Sequence, residues 1–129
     1  MASELRVNTL KDAAGNNSIA TSFVAGGSAK LWCNWAGSAT VNNSFNTASV
    51  TDNGTGNFSV NTTNAFANVN YCRAGFVVNT QGTSGSCINS STSITQTDST
   101  TVISIEVTFL SDSAFNGDRD EVIVHGDLA

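Results

Sequence analysis

The chain has no proline, one histidine, three cysteines and only five lysines and arginines in 129 residues. Each scarcity excludes something. Without proline, the loops are shaped by glycine and asparagine alone. The five basic residues, Arg6, Lys11, Lys30, Arg73 and Arg119, are scattered, and net charge is −5. Nucleic acid and anionic membrane surfaces both need clustered lysine and arginine to displace counterions, so neither is an expected partner. No run of 18 apolar residues exists, so no segment reads as a membrane-spanning helix. The first residues lack the basic and apolar parts of a signal peptide, so the product is expected to stay in the cytosol of the cell that makes it.

The missing histidines also thin out the chemistry. A Ser-His-Asp triad or a Cys-His pair would have to use His125, which reads as an ordinary residue at a strand end. Zinc needs three or four histidine or cysteine ligands at fixed spacing, and Cys33, Cys72 and Cys87 form no CxxC pair. They read as small hydrophobes, with a single Cys72–Cys87 bridge left open. Asp112, Asn116, Asp118, Asp120 and Glu121 crowd one loop and offer hard oxygens. Their spacing is not that of an EF-hand, so the loop reads as solvated acid, with a cation near Asp118 as the open alternative. Nothing fixes a separation between Glu106 and this loop that would make a glycosidase pair. No glycine-rich strand-to-helix turn cradles phosphate. No enzymatic activity and no cofactor are expected.

What is abundant is small and polar. Serine, threonine and asparagine number 49. These side chains compete with the backbone for hydrogen bonds, which disfavours helix, while threonine suits strands and asparagine suits turns. The six Asn-x-Ser/Thr sequons, at Asn16, Asn42, Asn53, Asn57, Asn61 and Asn89, are what this composition supplies by chance.

Alternation of apolar and polar residues places the strands. Residues 3–10 put Leu5 and Val7 on one face, a turn covers 11–18, and 19–24 reads as a second strand. In 30–36, Leu31, Cys33 and Trp35 share one face and Trp32 takes the other. Residues 37–46 read as polar and turn-rich, anchored by Val41 and Phe45. The stretch SVTDNGTGNFSV at 49–60 is a hairpin. Cross-strand partners share a face, so a two-residue Asn53-Gly54 loop would set Val50 opposite Asn57. A three-residue loop, Gly54-Thr55-Gly56 with Gly56 left-handed, instead pairs Val50 with Val60. Cys72, Ala74, Phe76 and Val78 form an inner face in 69–78. Residues 79–93 and 111–121 are long loops. Residues 100–110 alternate Ile103, Ile105, Val107 and Phe109 with Ser104, Glu106 and Thr108, and 122–125 is a last strand. Trp32, Tyr71, Val102 and Leu110 fall opposite the expected core, so a second covering is needed there, such as another copy of the chain. Trp32, Trp35 and Tyr71 are also the candidates for stacking on a sugar.

The order AKLWCNW, SFNTASVTDNGTGNFSVN, FANVNY, covering with the N-terminal stretch a little over half the chain, resembles a module of bacteriophage fibre and virion-surface proteins, especially of marine and cyanobacterial phages. There an AKAWV strand precedes SFNVSSVTDNGTG and a later NANY. The opening ASELRVNTLKDAAGNNSI is similar to the start of many such proteins. The resemblance implies a structural protein made in the host cytoplasm and carried on the virion, commonly as a homotrimer. The expected architecture is all-β, an antiparallel, jelly-roll-like β-sandwich over 19–129, with 1–18 as an anchoring segment. Leu5, Val7, Leu10, Trp32 and Tyr71 are the expected anchoring and oligomer contacts, and Asn53, Gly54 and Gly56 shape the hairpin. The expected role is a fibre-like surface protein of tail or head, touching other virion proteins and a host-surface glycan. A capsid decoration (cement) protein and a carbohydrate-binding module are the alternatives.

Overall fold

A computed structural model describes residues 6–15, 18–78, 86–89, 98–109 and 114–129. Among them are ten strands and one helix: β1 (Thr9–Lys11), β2 (Ser18–Ala20), α1 (Thr21–Gly27), β3 (Leu31–Trp35), β4 (Val41–Phe45), β5 (Thr47–Gly54), β6 (Asn57–Thr62), β7 (Cys72–Val78), β8 (Ser86–Asn89), β9 (Val102–Phe109) and β10 (Arg119–His125). All pairings are antiparallel. The strands make a small β1-β2 ribbon and two four-stranded sheets, ordered β4-β3-β10-β7 and β5-β6-β9-β8. The chain is mostly β, as its composition requires.

The core draws on both large sheets. Leu31, Cys33 and Trp35 of β3 and Val122 and Val124 of β10 cluster with Phe58 and Val60 of β6, Ile103, Ile105 and Val107 of β9, and Phe66. The Trp35 and Phe58 rings meet edge-on at 5.9 Å. Burying each such side chain stabilises by roughly 1.5–3 kcal/mol before conformational entropy opposes it.

The hairpin register is the expected one in its central part, with Val50 opposite Val60. Its tip is tighter than the three-residue reading. Gly54 pairs with Asn57, and the strand bulges at Asn53. The bulge absorbs the odd residue that the parity argument had assigned to the loop. Gly56 is left-handed, at φ 67°. A Cβ there would also strike the Val107 carbonyl and the Phe115 backbone.

Several sequence expectations are overturned. The run 19–24 is a strand only to Ala20 and then turns into α1, because β1 offers three residues of pairing and no more. Residues 41–45 form a strand rather than a turn, since pairing with β3 overrides the weak strand propensity of Asn42 and Asn43. Residues 86–89, assigned to a loop, form β8 against β9. Most consequential is β7. Its Cys72, Ala74, Phe76 and Val78 are exposed, whereas Arg73, Gly75 and Val77 turn inward. Val122 and Val124 of β10 are committed to the core beside β3, and their cross-strand partners on β7 are Gly75 and Arg73. Register, not hydrophobicity, decides which face of β7 is buried.

Candidate functional site

The outward β7 face belongs to a larger surface. On the outer side of β4-β3-β10-β7, pairing builds one row of Phe45, Trp32, Ile123 and Ala74, and beside it a row of Asn43, Asn34, Glu121 and Phe76. Trp32 is 37% and Phe76 70% exposed. The two rows, Phe45 excepted, line an open depression of about 490 Å³. Two of its polar side chains, Asn34 and Glu121, are fixed by each other and by their neighbours. Asn42 Nδ2 donates to Asn34 Oδ1 at 2.9 Å, Asn34 Nδ2 donates to Glu121 Oε1 at 2.8 Å, and Arg119 Nε pairs with the same oxygen at 2.9 Å. The surface is thus half apolar platform and half prearranged hydrogen-bonding strip. Sequence reasoning found Trp32 here but missed Phe76, Asn34 and Glu121. The outward parity of Glu121 with Ile123 along β10 was the available signal.

A second cluster sits where β7 meets the end of β8. Arg73 Nη1 donates to Asp98 Oδ1 at 2.8 Å and to the Ser104 carbonyl at 3.1 Å. The same Asp98 oxygen accepts the Ser104 N–H at 2.8 Å, on the stretch of β9 that β8 does not reach. Burial pushes the Asp98 carboxyl up, but the Arg73 and Ser104 hydrogen bonds and the Arg73 charge outweigh it, and the group is held below its ordinary range. Tyr71, expected on the outer face as an oligomer contact, turns inward. Its ring lies 4.9 Å from that of Phe66, and its hydroxyl donates to the Ser99 and Val102 carbonyls. Burial, then the Asp98 charge, raises its pKa to about 12. These groups join β7 of one sheet to β9 of the other.

Asp120 is the strangest residue. It is fully buried, directly across the strands from Trp35 and Val77. Among the described residues neither of its oxygens, nor Trp35 Nε1, has a hydrogen-bond partner. Burial, with the Asp118 charge added, raises its pKa to about 7. In the described part of the acidic loop, Glu121 faces away from Asp120, and Asn116 Oδ1 accepts the Gly56 N–H at 2.6 Å; Asp112 lies outside the described residues. Among the described residues no three acidic, histidine or cysteine side chains come together. Burial raises the Cys33 thiol pKa, a Thr47 hydrogen bond opposing. The Cys72 thiol is exposed and free; the side chain of Cys87, its partner in the alternative bridge, lies outside what the structure describes.

The N-terminal ribbon is the third surface. Val7, Leu10, Ile19, Phe23 and Val24 are all exposed, Phe23 at 73%, and α1 buries no residue. Leu10, Lys11, Asp12, Ser18 and Ile19 border a smaller hollow of about 300 Å³. Thr21 ties the ribbon together, its N–H donating to the Asn8 carbonyl and its hydroxyl to that of Val7. Lys30 Nζ donates to the Ala25 and Ser28 carbonyls at the helix end. Leu5 and Leu110 lie outside the described residues.

Of the expected contact residues, the fold thus exposes Val7, Leu10 and Trp32 and turns Tyr71 inward. Of the three expected sugar-stacking rings, Trp32 alone faces out. Compared with family models, with curated proteins and with solved structures, the chain finds no match.

Proposed function

We propose that the chain is a non-enzymatic structural component of a bacteriophage virion, a fibre-like surface protein of tail or head. Its two large sheets pack as a β-sandwich, and its N-terminal ribbon fastens it to neighbouring copies or virion proteins. One observation carries the assembly part. The body has a core drawn from both large sheets, whereas among the described residues the ribbon and α1 carry five exposed apolar side chains, Val7, Leu10, Ile19, Phe23 and Val24. An apolar segment of that kind gains stability when another surface covers it. A head-to-tail contact between copies closes into a ring, and three copies make the homotrimer that the sequence resemblance implies. The same resemblance supplies the virion setting, and with it synthesis in the host cytoplasm.

The experiment is removal of residues 1–27. The shortened chain should unfold as cooperatively as the full one but sediment as a monomer and fail to enter particles. Normal incorporation of the truncated chain would refute the anchoring role, and a full chain that stays monomeric at high concentration would refute the trimer. Copies per particle separate a head-decorating protein, present in large numbers, from a tail fibre, present in few.

A further inference from the structure

We propose that the outer face of the β4-β3-β10-β7 sheet binds an uncharged oligosaccharide, laid across the strands from Trp32 toward Phe76. The chemistry of the face is two-sided. The row of Phe45, Trp32, Ile123 and Ala74 is apolar, and the adjoining row through Asn43, Asn34 and Glu121 is polar. A pyranose ring is two-sided in the same way, with a C–H face and a rim of hydroxyls. The exposed indole of Trp32 offers a flat, polarisable surface to the C–H face, while the carboxylate and amides offer acceptors and donors to the rim.

The polar strip is already set for binding. The Asn42-to-Asn34-to-Glu121 chain and the Arg119 contact occupy Glu121 Oε1 and leave Oε2 for a hydroxyl donor. Groups held in place before the ligand arrives lose little freedom when it does. Charge then selects among sugars. The chain carries −5, and the guanidinium of Arg119 is bonded to Glu121, so an anionic glycan meets repulsion rather than a counter-charge. The depression, about 490 Å³, falls within the size range of small-ligand sites. Strand spacing puts the Trp32 and Phe76 positions about 12 Å apart, a span that suits a short oligosaccharide better than a single ring. This site is separate from the N-terminal ribbon.

The test titrates the full chain with dextran, mannan, galactan and laminarin, with heparin as the anionic control, following tryptophan emission and heat. One of the neutral polymers should bind at millimolar sugar or below and shift emission to the blue, since Trp32 leaves water while Trp35 is buried throughout. Trp32→Ala should lower that affinity about tenfold. Asn34→Ala and the exposed-site variant Phe76→Ala should each lower it several-fold with the circular dichroism spectrum unchanged. The proposal is overturned by any of four outcomes: none of the neutral polymers binds, binding survives Trp32→Ala, heparin binds more tightly, or the blue shift grows with protein concentration in the absence of sugar. The last would mean that a second copy covers the face.

Discussion

A carboxyl group in an apolar core is tolerated when it is neutral, and Asp120 has the environment to stay so. Its native pKa is raised to about 7 from an ordinary 3.8, by burial first and the Asp118 charge second. The native state therefore holds this proton more tightly than the unfolded chain does. The stabilisation is complete below the unfolded value and is lost as pH rises through about 7, a change of roughly 4 kcal/mol. In urea titrations between pH 4 and 8, Asp120→Asn should remove that loss, so the variant gains on the native sequence as pH rises. Equal pH slopes in the two proteins would show that Asp120 is ionised in the core or is not buried. Asp98 works in the opposite sense. Its lowered pKa stabilises above the unfolded value and ceases to do so as pH falls through the native one.

At the scale of elements, the hairpin and the β7 edge depend on a few contacts. Gly56 needs its left-handed conformation, and its missing side chain lets Val107 N–H reach the Gly56 carbonyl at 2.7 Å. Gly56→Ala meets both the strain and the backbone of Val107 and Phe115, and should cost more than about 2 kcal/mol. Gly54→Ala, with open space around it, should cost only the strain, about 1 kcal/mol. A smaller loss for Gly56→Ala than for Gly54→Ala in denaturant midpoints would contradict this account of the turn. The Arg73–Asp98 pair bridges two sheet edges with side chains only 17% and 30% exposed. Arg73→Ala should destabilise by roughly 1–3 kcal/mol, with faster amide exchange at Ser104 as the local signature.

For the whole molecule, topology sets the kinetics. Core pairings such as β3 with β10 join residues from opposite ends of the chain, so loop closure must precede much of the stabilisation. Refolding should take milliseconds to seconds. With no proline in the sequence, it should lack the tens-of-seconds isomerisation phase common in proteins of this size. Stopped-flow emission from Trp35, whose burial depends on both sheets, is the appropriate probe. A dominant phase of minutes would point to association rather than folding as the slow step.

The sequence by itself determined the class of the fold and most of its inward-facing residues. Scarce charge, abundant serine, threonine and asparagine, and alternation leave β6 one apolar face and give β3 and β9 one face much more apolar than the other, which fixes the inward side there. Parity along the hairpin likewise set Val50 opposite Val60. Where both faces of a segment carry apolar residues, the pattern is degenerate. In β7 the choice fell to its pairing with β10, which turned Arg73 and Gly75 inward and released Phe76 to solvent. The edge strand β4 and the strand β8 are also products of pairing, because an asparagine- or serine-rich segment becomes a strand only when a neighbour offers it hydrogen bonds. The outer-face site is of the same kind. Trp32, Asn34, Glu121 and Phe76 come from three strands that are distant in sequence, and only the antiparallel register sets them side by side.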